Sequence, residues 1–378
     1  MVKLLKLVIF VSADFSAASV ADDNIGFSSY FTDFSSLYHI NLSPFVSYDV
    51  IIQYNLFFVY RKFFVILNQK SVILHMRCIK MNLYENCTLC PRSCNVNREA
   101  GQRGYCKMTS EITASLASVH MWEEPPISGT NGSGTIFFTG CNLGCVFCQN
   151  YSISSQNKGK AITCGRLSEI MLEEQARGVH NINLVTGVHF IPSIISAVEK
   201  AKSNGLKIPI VYNSSGYEKA ESIKMLDGIV DVYLPDIKYF SCELSAKYSN
   251  AKDYFSFASE AVTEMYRQTG GNTFDENGIL KKGVIIRHMV LPSCREDSYK
   301  ILDWIRDNIG TEAYVSLLNQ YTPVYKANEY TEINRRLMSL EYTRVIEHFF
   351  DIGLKNGYMQ EKSSATSEYT PIFDFSGL

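Results

Sequence analysis

Gly140-Cys141-Asn142-Leu143-Gly144-Cys145-Val146-Phe147-Cys148-Gln149-Asn150 sets three cysteines at the spacing C-x3-C-x2-C. The run directly follows Thr135–Thr139, a β-branched and aromatic segment that reads as a strand. Where strands and helices alternate into a barrel, the loop after a strand lies on the functional face. A [4Fe–4S] cluster that only carries electrons normally has a thiolate on each of its four irons. Three close thiolates leave one iron open. Zinc usually asks for four ligands, commonly in two pairs, so a structural zinc site is the poorer reading of this run.

Downstream of the run the sequence is rhythmic. Apolar, β-branched strands are predicted at Asn181–Thr186, Ile208–Asn213, Asp231–Ile237, Gly283–Leu291 and Ala313–Leu318. Stretches of helical period lie between them, at Leu167–Arg177, Pro192–Ser203, Glu218–Leu226 and Asp297–Asn308. A last helix over Ser339–Ile352 precedes a strand-like Tyr358–Gln360. Alternating βα units imply a parallel sheet with right-handed crossovers. Six units fit an α/β fold built as an incomplete (β/α)6 barrel better than a closed eight-fold one.

Upstream the character changes. Residues 81–130 read as a cysteine-rich, loop-rich N-terminal cap, ending in Glu123-Glu124-Pro125-Pro126 and the small residues Ser128 to Gly134. The cap carries Cys87-x2-Cys90-x3-Cys94-x11-Cys106, four thiolates that suit zinc or a second, fully ligated cluster. Ligand softness does not choose between them. For the isolated Cys78, Cys164, Cys242 and Cys294, buried packing is expected. Residues 1–80 hold fifteen Phe or Tyr with one Gly and one Pro. Met1–Val11 is a weak signal-peptide pattern, and Val50–Leu67 is broken by Arg61 and Lys62, too interrupted for a membrane span. Met81 opens a segment that reads as a natural start, so residues 1–80 are expected to be an upstream extension, mis-called or disordered. The remaining 131–378 form the barrel with its C-terminal helix.

Composition narrows the class. Hydrophobic residues make up 46% of 378, ordinary for a soluble globular chain. Net charge is −2 with no Lys/Arg run, which argues against a nucleic-acid footprint. Close-set cysteines in a long chain point to metal ligation rather than disulfides, and so to a reducing cytoplasm.

These residues resemble the radical S-adenosylmethionine (SAM) superfamily, whose three-cysteine motif has this spacing with an aromatic, here Phe147, before the last cysteine. Cys87-Thr88-Leu89-Cys90-Pro91-Arg92-Ser93-Cys94, Glu123 through Gly129, Gly140 through Ser154, Gln320-Tyr321-Thr322-Pro323 and Gln360 through Ala365 are similar to uncharacterised relatives of pyruvate formate-lyase activating enzyme. The resemblance covers about residues 81–378. It implies a [4Fe–4S] cluster on Cys141, Cys145 and Cys148, with SAM laid across the top of a partial barrel. The superfamily's usual Gly-Gly-Glu after the second strand is replaced by Val185-Thr186-Gly187-Val188-His189, leaving Thr186 and His189 as candidates for that contact. Asn213 and Ser215 suit ribose hydroxyls. Asp236 and Lys238 share one strand face and match an Asp-x-Lys of the activating-enzyme group. Arg287, His288, Asn319, Gln320 and Tyr321 are weaker candidates, and Glu123 and Glu124 have no assignable job.

The resemblance implies an oxidoreductase fed by flavodoxin or ferredoxin, with no nucleic-acid or membrane partner. Its first substrate reading is a glycyl-radical protein. The alternatives are a small molecule or peptide, and, from another class, a non-catalytic metal-binding module.

Overall fold

Each strand anticipated from apolar runs forms, and helices follow where the 3.6-residue period placed them. The computed structural model describes residues 83–361 and 370–378, so the expected extension over 1–80 lies outside the described residues. In chain order the elements are β1 (Ile112–His120), α1 (Pro125–Ser128), β2 (Ser133–Phe138), α2 (Tyr151–Ser154), β3 (Lys160–Ile162), α3 (Cys164–Ala176), β4 (Ile182–Val185), α4 (Ile191–Ser203), β5 (Ile210–Ser214) and α5 (Ala220–Lys224). Then come β6 (Val232–Pro235), α6 (Cys242–Ser249), α7 (Tyr254–Thr269), β7 (Thr273–Phe274), β8 (Leu280–Met289), α8 (Arg295–Asn308), β9 (Tyr314–Leu318), α9 (Ser339–Asp351) and β10 (Asn356–Met359).

The strands join in the order β10-β9-β8-β6-β5-β4-β2-β1-β3, with β7 paired to β8. From β2 to β10 all neighbours on this path are parallel, while β1 and β3 add an antiparallel edge. The sheet is mostly parallel and does not close, an incomplete barrel of six βα units.

Strand alternation sorts side chains to two faces. Outward residues such as Leu184, Ile210, Tyr212, Tyr233 and Ile286 pack under the helices in the largest core. Cutting a fully buried member such as Leu184 to Ala costs on the order of 3 kcal/mol. Inward residues of the lower barrel, Val211, Val232, Leu234, Leu280 and Ile285, enclose Ile127 of α1. The segment between β1 and β2 therefore crosses the base of the barrel and plugs it. Asn181 pins this plug, accepting from Ser133 Oγ at 2.5 Å and donating to Ile127 O at 2.8 Å.

Two parts of the sequence reading need correction. Residues 112–120 were expected in the loop-rich cap, yet they are β1 of the sheet. Ile112, Ala114, Ser115, Leu116 and Ala117 are buried on both strand faces, so no alternation betrays the strand. Cys242, expected to pack inside, is exposed beside Glu243, because it opens α6 where Ser241 caps the helix by accepting from the Glu243 and Leu244 amides. Cys294 is buried as expected, and Cys78 lies outside the described residues.

Candidate active site

The loop after β2 is moored from several sides. Val146 N donates to Tyr248 O at 2.8 Å, Lys326 N to Val146 O at 2.8 Å, and Asn142 Nδ2 to Tyr217 O at 2.6 Å. Leu143, Val146 and Phe147 anchor it in a second apolar cluster with Tyr217, Tyr239, Tyr254 and Tyr321. The Phe147 and Tyr321 rings meet edge to face at 5.6 Å. Gly140 opens the loop at φ +86°, where a Cβ would lie 2.7 Å from Cys106 O and 2.6 Å from Met108 Cγ. Only glycine permits this turn with the cap pressed against it.

The loop turns Cys141, Cys145 and Cys148 toward one cavity of about 720 Å³. Each sulfur has a hydrogen-bond neighbour: Leu143 N for Cys141 at 3.4 Å, Ser249 Oγ for Cys145 at 2.9 Å, and Ser154 Oγ for Cys148 at 3.3 Å. Burial, with Cys145 adding to it, pushes the Cys148 thiol up to about 11, and burial likewise raises Cys141 and Cys145. As free groups these sulfurs hold their protons, and they become thiolates when a metal takes the proton's place.

The strand ends supply the cavity's polar wall. Thr186, Asn213, Ser215, Asp236 and Lys238 all line it, together with Arg287, Gln320 and Tyr321. Asp236 accepts from Arg287 Nε at 2.9 Å and from Lys238 Nζ at 2.5 Å. Burial opposes the Asp236 charge, yet Arg287 and Lys238 hold its carboxyl below the usual range. Burial opposes the Lys238 charge as well, and Asp236 overcomes it, with the Cys145 sulfur adding. Arg287 also donates to Asn213 Oδ1 at 2.6 Å and to Glu123 at 3.2 Å. Thr186 has φ +59°, a strained conformation for a β-branched residue, at the position where the sequence lacks Gly-Gly-Glu. Gly216 (φ +78°) lets the turn after β5 approach so closely that a Cβ would fall on the Asp236 carbonyl oxygen.

His189 does not join this wall. Its place in the tight turn after β4 directs Nε2 to Thr139 O at 2.8 Å, behind the cysteine loop, and the ring is 2% exposed. His189 therefore stands outside the cavity lining that Thr186 joins. His288 is likewise structural, bonded to Ile237 O and Ser298 Oγ. Asn319 offers its amide to Gln360 at 2.9 Å. Glu123 and Glu124, for which the sequence suggested no role, form the cavity floor.

The upstream cysteines sit in a compact hairpin away from the cavity. Cys87 N donates to Val96 O and Asn95 N to Cys87 O, and Tyr105 N points at the Cys94 sulfur at 3.2 Å. Cys87, Cys90 and Cys106 are buried. Burial raises Cys90 to about 12. Arg98, fully buried, spans cap and barrel. It donates to Met108 O, Thr109 O and His189 O, and its Nη1 lies 3.7 Å from the Cys87 sulfur. Among the described residues it has no carboxylate partner. Among those residues, too, no three His, Cys, Asp or Glu side chains are already drawn around a single-ion position.

Residues 135–292 match the family model of the radical SAM superfamily. An uncharacterised protein of Methanocaldococcus jannaschii is 34% identical over 281 residues, 71% of this chain and 75% of that protein. The chain belongs to the radical SAM superfamily. Radical SAM proteins carry a [4Fe–4S] cluster and SAM, and the three-cysteine loop sits where this chain's strand ends converge. Among solved structures, Streptococcus suis SuiB bound to S-adenosylmethionine is 15% identical with TM-score 0.41, covering 58% of this chain and 48% of its own. The chain thus spans about half the length of SuiB. A domain of pyruvate-formate lyase-activating enzyme from Bacteroides vulgatus is 10% identical with TM-score 0.32, covering 44% of this chain and 89% of that domain. At these identities nothing about substrate passes from those proteins to this radical SAM chain.

Proposed function

We propose that this radical SAM protein is an enzyme that abstracts hydrogen from a substrate held in the cavity, with Cys141, Cys145 and Cys148 holding the [4Fe–4S] cluster. The observation that carries the reading is the convergence of three hydrogen-bonded thiols and a charged strand-end wall on one cavity. The donor set fits: three soft sulfur ligands, each with a donor to steady its thiolate, and the Lys238 ammonium close enough to favour negative charge. When bound, such a cluster supplies one electron at an iron left open, which with SAM yields a 5′-deoxyadenosyl radical. This chain's part is to bind, orient and exclude water. Thr186, Asn213, Ser215, Asp236 and Lys238 are the residues proposed to receive SAM, and the Tyr217, Tyr239, Tyr254 and Tyr321 cluster shields the loop.

For the substrate, a small molecule or peptide is favoured over a glycyl-radical protein. A glycine Cα brings no charge to a chamber whose floor carries Glu123, Glu124 and Arg287, whereas a polar ligand does. Flavodoxin or ferredoxin is the proposed reductant, in a cytoplasmic setting suited to an oxygen-labile cluster. No helix among the described residues is long and apolar enough to cross a membrane.

The cap is proposed to hold a second metal, zinc or a [4Fe–4S] cluster, on Cys87, Cys90, Cys94 and Cys106. Support comes from Arg98: a buried guanidinium facing carbonyls, a sulfur and the Tyr84 and Phe190 rings, with no carboxylate partner among the described residues, is costly, and a tetrathiolate centre would supply the missing negative charge.

Anaerobic reconstitution with iron and sulfide, then dithionite and SAM, tests the reading. Deoxyadenosine release is expected; its absence from a fully loaded protein would sink the radical reading. Iron, sulfide and zinc counts on a Cys87/Cys90/Cys94/Cys106 quadruple Ala variant identify the second metal, and unchanged counts of all three would remove it.

A further inference from the structure

The floor of the cavity comes from the plug between β1 and β2, and its two carboxylates are placed differently. Glu123 is fully engaged: it accepts from Asn183 Nδ2 at 2.9 Å, Asn213 Nδ2 at 3.3 Å and Arg287 Nη1 at 3.2 Å. Glu124 is 7% exposed and lines the cavity. Ser316 and the Glu124 backbone amide are its hydrogen-bond donors, while Oε2 is buried without a partner. The cations of the wall are already committed, Lys238 to Asp236 and Arg287 to Asp236, Glu123 and Asn213. Three carboxyl groups, Glu123, Glu124 and Asp236, share two cations, and the ion pairs go to Glu123 and Asp236.

An uncompensated buried carboxylate is expensive, and burial pushes the Glu124 carboxyl up, with Arg287 pulling against it and Glu123 adding to it. Folding gains nothing from a buried oxygen left without a partner. A ligand that arrives with the missing cation does gain from it. Tyr358 lines this pocket and packs beside the inner barrel core. The face of such a ring suits an ammonium or guanidinium group.

We propose that Glu124 is a specificity-determining residue that receives a cationic group of the substrate, a primary ammonium or guanidinium, at the base of the cavity. The inference rests on the radical SAM reading of the cavity and names the class of substrate that enters it. A substrate of this class places its cation on the floor and its reacting carbon toward the cysteine loop above.

The test uses agmatine, which carries both cationic groups, and butyrate as an anionic control, titrated by calorimetry into the reconstituted full-length protein with SAM present. Agmatine is expected to bind the wild type, to weaken roughly tenfold or more in Glu124→Gln, and butyrate to show no heat of binding. The ligand-free Glu124→Gln protein is expected to melt higher than wild type, because a bare carboxylate has been neutralised. Equal agmatine affinity in the two proteins, no agmatine binding to wild type, or a lower melting temperature for Glu124→Gln overturns the proposal. Wild-type deoxyadenosine release is measured in parallel. If SAM is cleaved but agmatine does not bind, this inference alone fails; if agmatine binds but SAM is never cleaved, the radical reading fails instead.

Discussion

Two cysteine groups lie on either side of Gly140, and their surroundings differ. Cys141, Cys145 and Cys148 line a cavity; Cys87, Cys90 and Cys106 are buried in a hairpin that lines none. The trio has serine hydroxyls and an ammonium nearby, whereas the quartet has backbone amides and a guanidinium with no acid to balance it. Closed sites with a full ligand set serve folding, and sites with an open position serve chemistry. On the metal assignments proposed above, reactivity belongs to the trio and architecture to the quartet.

The largest test of that contrast is Cys145→Ala. Deoxyadenosine release is expected to fall to background while circular dichroism stays native; retained release would break the assignment. Next comes the quadruple Ala variant of the cap. It is expected to melt roughly 10 °C or more below wild type, as for loss of a structural metal, with SAM cleavage per intact trio cluster reduced less than by Cys145→Ala. A variant that melts like wild type would show that the quartet is not architectural. Arg98→Met separates charge from packing. It removes the guanidinium, which lies over the Tyr84 and Phe190 rings, while keeping an apolar side chain of similar length, and metal affinity at the cap is expected to drop about tenfold, measured by chelator competition.

The smallest effect is a control belonging to neither group. Glu218 is buried behind the wall, bonded to Tyr212 and Ser214, and burial lifts its carboxyl to about 7 against those bonds. A raised carboxyl pKa means the folded state holds a proton that the unfolded chain has released. Its favourable contribution is complete below about pH 4.5 and fades as pH rises to about 7. Across that window stability falls by on the order of 3 kcal/mol from this group. Glu218→Gln is expected to flatten the decline in urea melts at pH 5 and pH 8, and parallel declines in both proteins would refute the assignment.

The strands were legible because parallel strands covered on the outside by helices are runs of β-branched and aromatic residues, and the intervening helices carry a clear period. Asp236 and Lys238 were legible through strand alternation, since Val232, Leu234 and Asp236 do share the inner face. β1 was not, because alanines and serines buried on both faces leave no alternation. Nor was the place of His189, because residues in a tight turn have no face that spacing can foretell. The role of Glu123 and Glu124 was hidden for a related reason: nothing in Glu-Glu-Pro-Pro says that a connection passes under a barrel, and only the packing of Ile127 among Val211, Val232, Leu280 and Ile285 reveals it.

The plug has a metrical consequence. It ends where β2 begins, held there by Asn181, and the cysteine loop begins where β2 ends. The floor residue Glu123 bonds Asn183, level with Thr135, and Asn213, level with Phe137, so only the upper half of β2, roughly 10 Å, acts as a ruler between floor and cysteine loop. On the proposed anchoring at Glu124, the fold sets how far a substrate's reacting carbon lies from its cation, and a chain too short or too long for that gauge meets one end or the other, not both.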